Sequence, residues 1–368
     1  MSEMILWGSI FLVSLAILIV ALYFMVRKVM KLGFIQKLGR GKKKQSVAIA
    51  AAFIALLVIV GAIFTTVLNS FIILLHLMVF WLIGDLVALI FKKKTNVTFY
   101  IACGLTAVYL SIAAYLCFTV VEKDYKLSTN KDVGSIRVVQ IADSHLGTTF
   151  DGKGLNKYVD MINEVHPDVV LITGDFVDDA TGLDDMVAGC EALSHLETKY
   201  GVYYSFGNHD KGYGEASSRG YTGDDLIAEL QKNGVVVLQD EAVLIDDRFY
   251  IVGRQDKSEE SRSGHRSSMG ELTVELDSSK YIIVMDHQPN DYEAQAASRV
   301  DLVLSGHTHG GQLIPINYVG ILIGANDATY GLETRNDTNF IVTSGISDWE
   351  ILFKTGCRSE FVVVDING

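Results

Sequence analysis

Charge is what long parts of this chain lack. Met4–Val26, Ser46–Gly84 and Thr95–Val121 contain no Asp, Glu, Lys or Arg. Runs of that length exclude a wholly soluble fold for the first 121 residues, because about 20 apolar residues span a bilayer as a helix. Cysteine is also scarce, with four residues and no CxxC pair, which argues against a zinc ribbon or a thiol redox motif. Cys103 and Cys117 lie in an apolar run; Cys190 and Cys357 lie beyond it, either paired in an oxidising compartment or as separate buried thiols. The opening Met-Ser-Glu-Met lacks the basic region of a cleaved signal peptide. No transport motif or inverted repeat is evident. Beyond residue 121 basic residues are outnumbered 41 to 20, a net charge of −21. A domain that acidic repels nucleic-acid phosphate, so no nucleic-acid partner is expected.

What the apolar part does contain is four expected spans, about 4–26, 46–68, 71–91 and 98–121, the middle two joined by a tight Asn69-Ser70 turn. The loop after the first span carries Arg27, Lys28, Lys31, Lys37, Arg40, Lys42, Lys43 and Lys44, and that after the third carries Lys92, Lys93 and Lys94. Basic loops stay cytoplasmic, so the segment after Val121 is expected on the extracytoplasmic side. His76 and Asp85 are the ionisable groups inside spans. Nine residues apart, they fall on opposite helix faces, and Asp85 is expected to reach toward Lys92 in a structural role. Residues 1–121 thus read as an anchor in the membrane lipid bilayer.

Residues 122–134 read as a polar connector, and 135–368 as an α/β domain. Short β-branched runs at Ile136–Ala142, Val169–Thr173 and Val202–Phe206 alternate with helical spacing at Leu155–Glu164, Asp184–Glu197 and Asp224–Asn233. Further strands are expected at Val235–Leu238, Val243–Ile245, Phe249–Val252, Tyr281–Met285, Leu302–Ser305, Phe340–Thr343 and Phe361–Ile366. Five of these runs end directly in a polar block: Asp143-Ser-His145, Gly174-Asp175-Phe-Val-Asp178, Gly207-Asn208-His209-Asp210, Asp286-His287 and Gly306-His307-Thr-His309. Ligands collect beyond the carboxyl ends of strands in such sheets. Carboxylate, amide and imidazole donors without thiolate suit a pair of borderline divalent ions better than a structural zinc knot.

The five blocks, in that order, resemble the signature of the calcineurin-like metallophosphoesterases: D-x-H, G-D-x-x-D, G-N-H-D/E, a lone H, and G-H-x-H. The Gly-Gly-Gln after His309 and the run Asn233-Gly-Val-Val-Val-Leu are similar to the bacterial YkuE-like, membrane-associated branch. The resemblance implies a four-layer α-β-β-α sandwich behind the four-helix transmembrane region. It implies one ion on Asp143, His145, Asp175 and His309, and a second on Asp175, Asn208, His287 and His307, with Asp175 shared. The ions implied are manganese, iron or zinc, with nickel also compatible. A metal-bridging hydroxide would attack the phosphorus, His209 would act as general acid, and Asp210 would orient His209. The activity implied is a membrane-anchored phosphoester hydrolase, preferentially a phosphodiesterase. The alternatives are a phosphomonoesterase of the same fold and a non-catalytic metal-binding scaffold or sensor. A lipid-linked or envelope-derived phosphoester is the substrate suggested by the anchor.

Other features read as ordinary. Asp178 is expected to hold a ligand loop, and Asp286 to point away from the site. His166, His195 and His265 are expected as surface or core histidines. Lys257–Gly270 is expected as a solvated loop, the alternative being a lid that carries Arg262 or Arg266 to phosphate. Where the YkuE-like branch often has a basic residue after Gly-Gly-Gln, this chain has Leu313-Ile314-Pro315.

Overall fold

Apolar side chains with no proline before Pro167 favour helix in the first part of the chain, since a helix satisfies its own backbone groups away from water. The computed structural model describes residues 2–92, 97–262 and 264–368, and up to Phe118 its helices are α1 (Ser2–Val29), α2 (Gly33–Leu38), α3 (Lys43–Phe64), α4 (Val67–Ile90) and α5 (Val97–Phe118). Lys93 and Lys94 of the expected second basic loop lie outside the described residues. Among the described residues, three helices, α3, α4 and α5, are long and apolar enough to cross a membrane. The chain divides into two compact units, Met1–Ile112 and Ala113–Gly368.

Within the first unit, two polar details differ from expectation. The break between α3 and α4 falls at Thr65-Thr66, not at Asn69-Ser70. Thr66 caps α4: its Oγ1 accepts from the Asn69 amide at 3.1 Å, and Ser70 Oγ donates to its carbonyl at 2.9 Å. A threonine at the N-cap satisfies an otherwise orphaned amide, and it draws Asn69 and Ser70 into the first turn. Asp85 accepts from Thr98 Oγ1 at 2.7 Å and pairs with Lys28 instead of Lys92. His76 Nδ1 lies 2.8 Å from the Ile72 carbonyl, one turn back on its own helix.

In the second unit the strands are β1 (Val121–Ser128), β2 (Ser135–Ile141), β3 (Val169–Thr173), β4 (Val202–Ser205), β5 (Val235–Val237), β6 (Glu241–Ile245), β7 (Phe249–Gly253), β8 (Tyr281–Met285), β9 (Leu302–Ser305), β10 (Gly331–Arg335), β11 (Thr338–Val342) and β12 (Glu360–Asn367). They form two mixed sheets, in the orders β1-β12-β2-β3-β4-β5 and β10-β11-β9-β8-β7-β6. The expected 122–134 connector is therefore partly strand. β1 pairs in parallel with β12, Val121 opposite Glu360 through Ser128 opposite Asn367. Its alternation of exposed charge with half-buried side chains is that of an edge strand, and pairing with the chain's last strand could not be read locally.

Side chains alternate between two cores, as the period of a strand requires. Val138, Leu171 and Tyr203 of the first sheet join Ile251, Ile283 and Leu304 of the second. The other face of the first sheet, with Val139, Ile172 and Tyr204, packs with Val159, Ile162 and Met186 from the helices Asn156–Glu164 and Leu183–Leu193. On the second sheet, Val284, Val303 and Phe340 pack with Met269 and Tyr292. Burial on both faces explains the unbroken apolar runs, each fully buried Val or Ile contributing ~1.5–3 kcal/mol. Because β2, β3 and β4 run parallel, and β8 runs parallel to β9, the loops that follow them leave from carboxyl ends.

Candidate metal centre

The five polar blocks begin where those strands stop, and the backbone there is strained. Asp143, His145, Asp175, His307 and His309 all have positive φ, between 37° and 69°. Such a conformation costs a non-glycine residue about 1–3 kcal/mol and persists only where the surroundings impose it. The surroundings here are hydrogen bonds between the loops. Asp143 N donates to Gly174 O at 3.1 Å, His145 N to Asp175 O at 3.1 Å, and Gly306 N to His287 O at 2.9 Å. His307 N donates to Asp143 Oδ1 at 2.9 Å, and His209 N to Asp175 Oδ1 at 2.8 Å. Gly174, at φ +81°, has no room for a side chain, since a Cβ there would collide with the backbone of Gly207.

The seven expected ligands come together. Asp143, His145 and His309 form one group of donors, and Asp175, His287 and His307 a second, each with ligand atoms within 4.8 Å of one another. Asp175 Oδ2 stands between them, 3.6 Å from His145 Nε2 and 3.1 Å from His287 Nε2. Asn208 Oδ1 lies 2.8 Å from His307 Nδ1, on the second group. Fit to a cation is tested by the atoms left over: among the described residues the buried Nε2 atoms of His145 and His287 have nothing to face but the Asp175 carboxylate. A buried polar atom left so is costly unless something binds it. Both face the shared carboxylate, and the donor set of oxygen and imidazole nitrogen matches divalent transition ions.

Electrostatics agree. Burial pushes the Asp143 carboxyl up to about 6, with Asp175 adding to the rise. Burial and the neighbouring His287 bring His307 down to about 4. Burial, then His145, holds His309 well below its usual value. Burial would lower His287 too, but the Asp175 charge overcomes it and raises the ring well above the ordinary histidine range. Burial would raise Asp175, yet His287 holds it well below the carboxylate range. A proton on His287 thus offsets buried carboxylate charge, the task a cation performs more fully.

Outer groups fix the imidazoles. Asp178 Oδ2 is 3.3 Å from His145 Nδ1, and the Asp178 side chain also accepts from the Ala180 amide at 2.8 Å. His287 Nδ1 is 2.8 Å from the Thr173 carbonyl, and Asp348 Oδ1 is 3.4 Å from His309 Nδ1. Burial raises the Asp348 carboxyl to about 6. Asp348 was not expected; the only signal was its place in the loop after β11, another strand of the same sheet. Tyr213, which accepts from Asn208 Nδ2 at 3.0 Å, was also missed.

Asp210 requires a correction. It was expected to orient His209, but its carboxylate faces the other way. It accepts from the amides of Asp175 at 2.9 Å, Phe176 at 2.8 Å, Val177 at 3.2 Å and Gly207 at 2.6 Å. Four converging backbone donors compete successfully with one imidazole, and His209 Nδ1 is buried with no partner among the described residues. Asp210 therefore clasps two ligand loops together. Asp210→Ala would strand those donors, so a lower melting temperature is expected, a loss of roughly 3–5 kcal/mol. Asp210→Asn should recover part of it in the same thermal melt.

The 257–270 segment is solvated at Glu260, Ser261, His265 and Ser268, as expected, but not at Arg266, and Ser263 lies outside the described residues. Arg266 Nη2 binds the buried Asp286 carboxylate at 2.8 Å, and Arg254 Nη1 binds it at 3.0 Å. Asp286 thus points away from the ligand groups, as expected, into an ion-pair cluster. With the segment held there, Arg262 Nη2 donates to the Asn208 carbonyl at 3.2 Å and its guanidinium lies 5.1 Å over the Tyr213 ring. The four cysteines are free thiols, so Cys190 and Cys357 do not pair.

Comparison with known proteins accords with this geometry. A model of the family described as calcineurin-like phosphoesterase matches residues 136–311. An uncharacterized metallophosphoesterase of Aquifex aeolicus is 33% identical over 260 residues, 68% of this chain and 93% of that protein. An uncharacterized metallophosphoesterase of Campylobacter jejuni is 30% identical over 235 residues, covering 63% and 59% of the two chains. A transmembrane protein with metallophosphoesterase domain from Danio rerio is 30% identical over 243 residues, covering 62% and 53%. The chain thus spans between half and three-fifths of the length of these last two relatives. With its expected ligand blocks inside the matched region, the chain belongs to the calcineurin-like phosphoesterase family.

Proposed function

We propose that this protein is a membrane-anchored, dinuclear phosphoester hydrolase with a preference for phosphodiesters. The observation that carries the reading is the placement of Asp175 Oδ2 between two buried groups of imidazole and carboxylate donors. One ion would be held by Asp143, His145, Asp175 and His309, the other by Asp175, Asn208, His287 and His307. Such ions supply Lewis acidity, lowering the pKa of water and neutralising phosphoryl charge. The chain's own residues do the rest. Asp178, Asp348 and the Thr173 carbonyl hold the imidazoles in position. His209, ring-to-ring with His145 at 5.2 Å, Tyr213 at 5.2 Å and Trp349 at 5.1 Å, presents an N–H to the leaving oxygen. Water gives its oxygen to phosphorus and its proton to the alcohol released, and the ester P–O bond breaks.

Four further elements belong to the proposal. The alternation of three cores supports a four-layer α-β-β-α sandwich. The basic residues between Arg27 and Lys44 support a cytoplasmic side for that loop and an extracytoplasmic catalytic domain, and the 28-residue α1 supports a fourth span. Manganese, iron and zinc all suit the donor set.

The test is metal analysis of the full chain in detergent, followed by hydrolysis of bis-aryl and mono-aryl phosphates. Two ions per chain, faster turnover of the diester, loss of turnover with chelator and its return with manganese are expected. Fewer than two ions at saturation would sink the dinuclear reading, and faster turnover of the monoester would reverse the preference.

A further inference from the structure

Just beyond the ligand His309 lies an apolar segment left open to solvent. Ile314 is 51% exposed, Ile316 56%, Tyr318 60% and Leu322 81%. Single apolar side chains are common on surfaces, but so many within nine residues mark a surface that something covers. The hydrogen bonds of the segment say what lies beside it. The carboxyl end of α5 offers the carbonyls of Ala113, Leu116 and Cys117, which accept from Lys354 N at 3.0 Å, Ser359 N at 3.0 Å and Ser359 Oγ at 2.6 Å. α5 is long and apolar enough to cross a membrane, and the 354–359 stretch is hydrogen-bonded to its carboxyl end. Arg358 lies 6.0 Å over the exposed Tyr115 ring, a pairing suited to headgroup depth.

The apolar segment is tied to that stretch. Ile314 N donates to Thr355 Oγ1 at 2.7 Å, and Thr355 N donates to the Gln312 carbonyl at 2.9 Å. Gln312 Nε2 in turn donates to Asp348 Oδ1 at 2.5 Å and to the Trp349 carbonyl at 3.0 Å. Trp349 is 41% exposed and packs on His209. One hydrogen-bonded run therefore joins the end of a membrane helix, an apolar surface and the rim of the metal centre.

We propose that Ile314–Leu322, with Trp349, enters the interface of the bilayer that α5 crosses, so that the metal centre opens at headgroup depth and takes a phosphoester carried by a lipid. The substrate half of this proposal rests on the hydrolase reading above; the surface half does not. Apolar side chains at the interface gain the free energy of leaving water, and indole and phenol rings are at home there. A lipid-borne ester would keep its tail in the bilayer while its phosphoryl group met the ligands.

The test uses the full chain in phosphatidylcholine vesicles. A bimane label introduced by Leu322→Cys should be quenched by spin-labelled lipid and shielded from iodide. The same label introduced by Asp247→Cys, in the turn between β6 and β7, should show the reverse. Background from native cysteines is subtracted with the unsubstituted chain. Leu322→Asp should slow hydrolysis of hexadecyl p-nitrophenyl phosphate in the vesicles by about tenfold, the scale of one buried leucine, and leave soluble methyl p-nitrophenyl phosphate unaffected. Iodide quenching at residue 322 equal to that at residue 247 would overturn the proposal. So would shielding without lipid quenching, which assigns the face to a protein partner or a second copy, or an equal loss on both esters. Lipid quenching with neither ester hydrolysed by the unsubstituted chain would sink the hydrolase reading and leave the membrane surface standing.

Discussion

Asp175→Ala is expected to leave the protein with at most one tightly held ion and to lower kcat by roughly a thousandfold or more, because paired cations contribute several kcal/mol of charge stabilisation. The effect should exceed that of any other single ligand, since this carboxylate faces His145 and His287 at once. It also accepts the His209 amide at 2.8 Å, so the alanine variant displaces the His209 backbone as well. Asp175→Asn separates the two effects: the amide oxygen can still accept from His209 N but cannot share a negative charge between ions. Near-wild-type folding with metal content as low as that of the alanine variant is expected for it. Retention of two ions by either variant would remove the bridging role.

The same residue sets a pH dependence in the metal-free chain. His287 is raised above its unfolded value, so its stabilisation is complete below that value and is lost as pH rises through the folded pKa. Asp175 is depressed, so its stabilisation is present above the unfolded carboxylate value and is lost as pH falls through the folded one. Stability of the metal-free protein should therefore peak between those limits. Loading at neutral pH should release a proton from His287, visible as a buffer-dependent heat of binding, and Asp175→Ala should abolish that dependence.

Much of this site was legible because its chemistry is written in contiguous blocks. Asp143-Ser-His145 and Gly306-His307-Thr-His309 each place two donors on one turn after an apolar run, and strand ends are where such loops converge. What was not legible depended on partners distant in the chain. Asp348 lies in a loop with no glycine-rich signature, and only folding brings it to His309. Asp210 stood beside His209 in sequence, which suggested a pair, yet the amides of 175–177 and 207 supply more hydrogen bonds than one ring can. Arg266 looked solvated in a Ser/Arg/Glu-rich stretch until Asp286, buried just past the end of β8, gave it a counter-charge. The β1 strand was missed for the same reason, since its hydrogen bonds go to residues 360–367.

His209→Ala should lower kcat by about 10²–10⁴-fold, the range of a lost general acid, while the chain keeps both ions. The split follows from geometry. The His209 side chain belongs to neither donor group, whereas its ring packs on His145, Tyr213 and Trp349 and its Nδ1 has no partner among the described residues. Burial pushes its pKa down, so the imidazolium that a general acid must be is the minor form near neutral pH and, when formed, a strong proton donor. Donation matters most when the departing oxygen is a poor leaving group. Across aryl phosphates of increasing phenol pKa, the variant should therefore lose progressively more rate, with a steeper slope of log kcat against that pKa. For alkyl esters the loss should reach the upper end of the range. A parallel slope with unchanged metal content would mean that His209 only shapes the rim. His209→Gln decides further, since an amide can donate a hydrogen bond but cannot surrender its proton. Partial recovery of kcat with the steep slope retained would assign His209 to proton transfer and not to hydrogen bonding alone.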